Sequence, residues 1–232
     1  MEYNFLQNKK CLFIGILDCN DSKDCVDFLK NYCSKVTPIF CKGRNEKIPK
    51  EMAEWQGDFI FSFRNYFKIP KSILDSARLM ALNFHGASPE YPGSGSYNWA
   101  IYENAKYFGT TVHLMNEKID NGKIIKFFKY SISRNETVFS LIKKSKINNK
   151  IYFKEFIVFL NKQNREKIID LKEKKSRFNW SGEAKKISDL DKMRHITKDL
   201  TNNEILKRIR AFHMKEFPVY TIINGVKFFY IE

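Results

Sequence analysis

Three short apolar runs constrain this chain most: Cys11–Leu17 (CLFIGIL), Asp58–Ser62 (DFIFS) and Leu79–Phe84 (LMALNF). Runs of this length, apolar at successive positions, read as buried strands. Between them Cys25, Phe28, Leu29 and Tyr32 recur at helical spacing, and Ile73–Ala77 reads as a brief helix. Val36–Phe40 reads as a further strand. Its Pro38 cannot donate to a ladder and so places it at an edge or a strand end. Strands alternating with helices predict an α/β fold, a mostly parallel twisted sheet flanked by helices. In such sheets ligands bind beyond the carboxyl ends of the strands.

The chain has 232 residues, enough for one large domain or one domain with a small appendage. At 43% hydrophobic and 15% aromatic it can bury a sizeable core, which argues against global disorder. No apolar run reaches the roughly 18 residues of a membrane span. The opening MEYNFLQNKK lacks the apolar centre of a signal peptide, so a cytoplasmic protein is expected. Cys11, Cys19, Cys25, Cys33 and Cys41 include no CxxC pair and read as free thiols. The net charge of +15 rests on 32 Lys against 9 Arg, spread along the chain. Arg would be the stronger sign of bidentate phosphate or base recognition. We therefore expect a basic, solvated surface that could favour a phosphate-bearing small substrate, with neither nucleic acid nor membrane as partner.

The run at Leu79 ends in Asn83 and His85, which the period of two puts on one face of a strand. A loop rich in Gly and Pro follows, then a short helical pattern, a second strand, and Asp120 ahead of Gly122. An amide to hold a carbonyl oxygen, an imidazole to move a proton and a carboxylate to fix the imidazole make an acyl-transfer set. His113, inside the apolar TTVHLM, reads as a core residue or a support for that set. No GxGxxG follows the first strand, so a dinucleotide cofactor is not expected. Further on, Glu136–Lys144 and Ile151–Leu160 read as two helices and Asn161–Arg177 as a polar connector. Thr201 and Glu204 fit a capping box. Asn224-Gly225 between β-rich arms signals a hairpin with a type I′ turn. With Tyr220, Ile222, Phe228 and Tyr230 on it, that hairpin must pack on the parent domain or on a second subunit.

Asn83-Phe84-His85, the loop with Pro89, Tyr91 and Gly93, and Asp120 with Gly122 resemble the formyltransferases that use N10-formyltetrahydrofolate. Upstream, Gly57–Leu74 is similar to that family's folate-binding segment. Downstream, FNWSGEA (residues 178–184) and Leu206–Phe212 are similar to its Trp-Ser and Ile-Arg-Ala-Phe elements. The order is preserved over nearly the whole chain. Within the family, the segment Phe61–Phe67, the NFHxAxPEYPGxG loop and the closing hairpin most resemble the sugar N-formyltransferases. These formylate an amine on a nucleotide-linked dideoxysugar. Gly86 departs from the Pro that many relatives carry after the His, which implies a looser loop.

The resemblance implies a Rossmann-like formyltransferase domain over residues 1–178. It is followed by a helix and β-hairpin over 179–232, a dimerisation element of a homodimer. It implies Asn83, His85 and Asp120 as catalytic residues. Phe63, Arg64, Tyr66, Phe67 and Asp120 would bind N10-formyltetrahydrofolate. Arg64, Tyr91, Gly93, Asn98 and Trp180 would face the nucleotide sugar, with no metal. The implied substrate is a dTDP-linked amino-dideoxyhexose, best 4-amino-4,6-dideoxyglucose, on the way to a surface polysaccharide such as O-antigen. The alternatives are a truncated methionyl-tRNA formyltransferase, disfavoured because the chain ends soon after Phe212, and a non-catalytic basic nucleic-acid-binding protein.

Overall fold

Phe59, Phe61 and Phe63 stand at alternate positions of β3 (Gly57–Phe63) and all point to one side of the sheet. Ile60 and Ser62 point to the other side, where Ile60 joins a second cluster. Both faces are therefore covered, which is why the run is apolar throughout rather than alternating. The computed structural model describes residues 4–17, 20–44, 46–181 and 183–231; the expected thiol Cys19 lies outside them. β3 sits inside a six-stranded sheet with β1 (Lys10–Ile16), β2 (Lys35–Cys41), β4 (Ala77–His85), β5 (Tyr107–Leu114) and β6 (Ile124–Ser131). Their order is β2-β1-β3-β4-β5-β6. The first four strands pair parallel, and β5 and β6 add antiparallel. β2 is the edge that Pro38 requires. β6, rich in Lys and aromatics, was not legible as a strand.

One face carries α1 (Asn20–Lys30) and α5 (Val138–Asn161); the other carries the single turns α2 (Lys50–Ala53) and α3 (Lys71–Leu74). Phe153 of α5 lies 4.7–5.7 Å, ring to ring, from Phe84, Phe13 and Phe63. Fully buried rings of this kind contribute about 1.5–3 kcal/mol each. The two helices expected around 136–160 are one helix of 24 residues. Two polar residues of the stretch between them, Ser145 and Asn149, are buried and used. Ser145 Oγ donates to the Gly86 carbonyl at 2.7 Å, and Asn149 Nδ2 to the Phe84 carbonyl at 3.4 Å. Thr111 Oγ1 adds a bond to the Ala87 carbonyl at 2.7 Å. The end of β4 and the start of the loop after it are thus tied at three carbonyls, those of Phe84, Gly86 and Ala87.

The expected connector holds a helix, α6 (Arg165–Glu173), capped by Asn164 and anchored by the buried Ile168. α7 (Ile187–Arg194) and α8 (Asn202–Phe212) pack with α4 (Ser96–Tyr102) around Leu190, Ala211 and Phe212. Thr201 caps α8 by accepting from the Glu204 amide at 3.3 Å. The reciprocal half of the box is absent: the Glu204 carboxylate instead accepts from Tyr102 and Arg208. Thr201→Ala should cost about 1 kcal/mol, read as a lowered urea midpoint with an unchanged slope.

The chain closes with β7 (Tyr220–Ile223) and β8 (Val226–Phe229), joined through Asn224 (φ 51°) and Gly225 (φ 81°), the two positive φ values of the expected turn. No helix among the described residues is long and apolar enough to cross a membrane.

Candidate active site

Strand register builds the centre of the site. Ser62 on β3 pairs with Asn83 on β4, and Asn83 pairs with His113 on β5, so the three stand in one row across the sheet. His85, two residues on, shares the face of Asn83. Asp120 comes to them from the loop between β5 and β6, with a positive φ of 43°. Asp tolerates that region better than most residues. Its Oδ2 lies 3.3 Å from His85 Nδ1 and accepts from the Gly93 amide at 2.9 Å. Its Oδ1 lies 3.5 Å from both His113 Nε2 and Asn83 Nδ2. One carboxylate therefore gathers two imidazoles, an amide side chain and a backbone N–H.

Asp120 is 9% exposed. Burial alone would raise its pKa, but the charge of His85, the bond to and charge of His113 and the Gly93 amide outweigh it. Its carboxyl is held well below the usual carboxylate range. His85 Nε2 faces the Tyr91 carbonyl at 3.1 Å, so both of its nitrogens face oxygen acceptors. His113 Nδ1 lies 2.9 Å from the Leu114 carbonyl and must carry a proton there. In the neutral ring, Nε2 then accepts from Asn83 Nδ2 at 3.1 Å. Trp180 packs edge-on against both rings, 5.8 Å from His85 and 5.1 Å from His113.

Ser62, Asn83, His85, Gly93, His113 and Asp120 line a cavity of about 1030 Å³ beyond the carboxyl ends of β3 and β4. Arg44, Arg64, Lys68, Lys118, Lys185 and Lys186 also line it, against Glu117, Asp120 and Glu183, so its field favours an anionic ligand. Of the residues expected to bind ligands, Arg64, Tyr66, Phe67 and Gly93 line this cavity. Arg64 has a φ of 53°, which turns the chain sharply out of β3, and lies 3.9 Å from Asp21. Gly93 has a φ of 82°, and a Cβ there would meet the Lys185 backbone. Its N–H is spent on Asp120.

Four expectations change. Phe63 is fully buried, because its place on β3 turns it toward Phe13 and Phe153. Asn98 is buried between α4 and α8, where Nδ2 donates to the Ala211 carbonyl at 2.7 Å. The Tyr91 side chain is buried, donating to Glu103, and its carbonyl rather than its ring serves the site. Trp180 is a wall behind the imidazoles, its Nε1 donating to the Gly122 carbonyl at 2.7 Å, and does not line the cavity. Ser62 was not legible, because only strand register places it beside Asn83; His113 is both buried and bonded to Asn83, joining the two readings its apolar strand offered.

A family model described as Formyl transferase matches residues 34–157. The bifunctional polymyxin resistance protein ArnA of Wigglesworthia glossinidia brevipalpis is 34% identical over 94 residues, 40% of this chain and 14% of that protein. The chain spans between 14% and 32% of the length of the curated relatives it matches. A sugar N-formyltransferase structure from Shewanella sp FDAARGOS_354 superposes with a TM-score of 0.70 at 19% identity, covering 95% of this chain and 96% of that one. An N-formyltransferase from Helicobacter canadensis, solved with folinic acid and dTDP-3-aminofucose, superposes with a TM-score of 0.65 at 21% identity, covering 93% and 84%. These structures share the fold. The family match takes in more than half of the sequence, including Asn83, His85 and Asp120, and the chain belongs to the formyl transferase family.

Proposed function

We propose that this protein moves a formyl group from N10-formyltetrahydrofolate to the amine of a nucleotide-linked amino sugar. The preferred substrate is a dTDP-linked 4-amino-4,6-dideoxyglucose destined for surface polysaccharide. The observation that carries this reading is the meeting of Asn83, His85 and Asp120 on the wall of one cation-rimmed cavity. The solved relative with folinic acid and dTDP-3-aminofucose supports the pair of ligand classes. Arg64, Tyr66 and Phe67 hold the folate at the end of β3. Arg64 and the Gly93 segment face the nucleotide sugar.

The neutral amine attacks the formyl carbon; a C–N bond forms and the carbonyl π pair moves to oxygen. Asn83 Nδ2 has one hydrogen on His113 and a second only weakly engaged by Asp120, and that second hydrogen turns to the oxyanion. One such donor is worth about 3 kcal/mol. The proton lost by the amine enters the Asp120–His85 pair. Collapse breaks the bond from the carbon to N10, and His85 delivers a proton to N10.

The test is turnover of N10-formyltetrahydrofolate with a panel of dTDP- and GDP-linked 3-amino and 4-amino sugars. Initiator Met-tRNA serves as a parallel acceptor. Turnover on one sugar, reduced about 10²–10⁴-fold in His85→Ala, is expected. Turnover on tRNA alone overturns the substrate.

The same reading takes residues 179–232 as the dimerisation element of a homodimer. The hairpin leaves Ile222, Ile223, Val226, Phe228 and Phe229 about half exposed. Its root packs home: Tyr220 stacks on His195 and Tyr230 lies edge-on to His213, each at 5.0 Å. A two-stranded ribbon with apolar residues open on both faces is marginal alone. Deleting residues 220–232 should convert a dimer to a monomer in sedimentation velocity; an unchanged sedimentation coefficient rules the hairpin out as the contact.

A further inference from the structure

The amide of Asn83 can stabilise an oxyanion only if its nitrogen, not its oxygen, faces the reacting carbon. Its orientation is fixed from both ends. On one side His113 holds it, as derived above. On the other, Asn83 Oδ1 accepts from Ser62 Oγ at 2.8 Å. Ser62 is fully buried and has a single hydroxyl hydrogen, which that bond uses. Any further partner of Ser62 Oγ must therefore donate to it. That partner is Asn65, whose Nδ2 lies 2.6 Å away. Asn65 Oδ1 is then left over, buried and without a partner among the described residues, on a side chain that lines the cavity.

We propose that Asn65 is a positioning residue that, acting through Ser62, fixes which end of the Asn83 amide faces the formyl oxygen. This rests on the formyl-transfer reading. The chain of bonds has one polarity: Asn65 donates to Ser62, Ser62 donates to Asn83, and Asn83 donates to His113 and the oxyanion. Reversing any link turns Asn83 oxygen-first toward the reacting carbon, where it would repel the developing charge. The leftover Asn65 Oδ1 gives the chain an open end at the ligand. An N–H of the bound ligand satisfies it and holds Asn65 in the donating orientation toward Ser62. The turn at Arg64, with its positive φ, aims the adjacent Asn65 at Ser62.

Asn65→Asp separates this role from packing and from ligand contact. The carboxylate keeps the size of the amide and keeps an acceptor for the ligand, but it cannot donate to Ser62. The hydroxyl hydrogen then turns from Asn83 to the aspartate. We expect kcat to fall at least 10-fold in Asn65→Asp and in Ser62→Ala. The double variant should be no slower than the worse single variant, and 5-formyltetrahydrofolate should bind each within about 3-fold of the unsubstituted protein. The thermal midpoint of Asn65→Asp checks that it folds. Wild-type kcat in Asn65→Asp, or losses that multiply in the double variant, overturn the proposal. The NMR signals of the Asn83 side-chain amide should shift in Asn65→Asp, a readout that needs no turnover. If the unsubstituted protein transfers no formyl group, the functional reading falls alone; if those signals stay in place, the relay falls.

Discussion

Asp120→Asn should lower kcat for formyl transfer by about 10⁴-fold with little change in the fold, the loss seen when the carboxylate that orients a catalytic imidazole becomes an amide. Asp120 offers acceptors on both oxygens. Oδ2 faces His85 Nδ1 and the Gly93 N–H, and Oδ1 faces Asn83 Nδ2 and His113 Nε2. An asparagine has one acceptor and one donor. If its oxygen serves Gly93 and His85, its NH₂ confronts the NH₂ of Asn83 and competes for His113. Turned over, it presents a donor to the Gly93 N–H. Either way the Asn83 amide, the proposed oxyanion donor, is displaced.

The same substitution has a signature in pH. The carboxyl of Asp120 is held well below its ordinary range in the folded protein. A depressed folded pKa adds stability that is fully present above the unfolded value, about pH 4, and is lost as pH falls through the folded value. The stability difference between the unsubstituted protein and Asp120→Asn should therefore be constant from pH 5 to 8 (about one unit and more above that value) and shift against the unsubstituted protein in more acidic solution. Urea midpoints at both ends read it. A difference that changes around neutrality would mean that another group governs it. Because Asp120 stays ionised, an acid limb in the pH–rate profile belongs to some other group.

Gly122→Ala should damage both stability and turnover. A Cβ at Gly122 would fall on the Leu114 carbonyl oxygen. That oxygen holds the proton of His113 Nδ1, and His113 Nε2 in turn orients Asn83. The Gly122 carbonyl takes the Trp180 indole that walls both imidazoles. Overpacking of this kind costs about 1–3 kcal/mol, and the strain enters two hydrogen bonds away from the Asn83 amide. We expect a lower urea midpoint together with at least a 100-fold loss of kcat, the effect of losing one oxyanion donor. A stable, fully active Gly122→Ala would show that the β5–β6 turn moves freely and that His113 does not depend on it.

Short-range features were legible wherever the chain solves its own problem locally. The apolar runs at Cys11, Asp58 and Leu79 are strands, because a strand buried on both faces needs no polar position. Thr201 caps its helix and Asn224-Gly225 turns the hairpin, because each choice depends on neighbours within four residues. Asn83 and His85 share a face by period alone, and Asp120 ahead of Gly122 completes the set of amide, imidazole and carboxylate.

What failed to show were features set by partners far along the chain. The polar stretch holding Ser145 and Asn149 lay between two expected helices, and polarity in a sequence cannot say whether a buried carbonyl waits for it; the carbonyls of Phe84 and Gly86 do. Phe63, Tyr91, Asn98 and Trp180 sit near the motifs in sequence, yet side-chain direction is fixed by the strand face or helix interface that buries them. The sequence by itself determined β1 to β5, the cap of α8, the closing turn and the shared face of Asn83 and His85. Only the tertiary structure decided the row Ser62–Asn83–His113 and the gathering of His85, His113, Asn83 and the Gly93 N–H around Asp120. Register between strands is set by the packing of whole layers, and no short window of residues contains it.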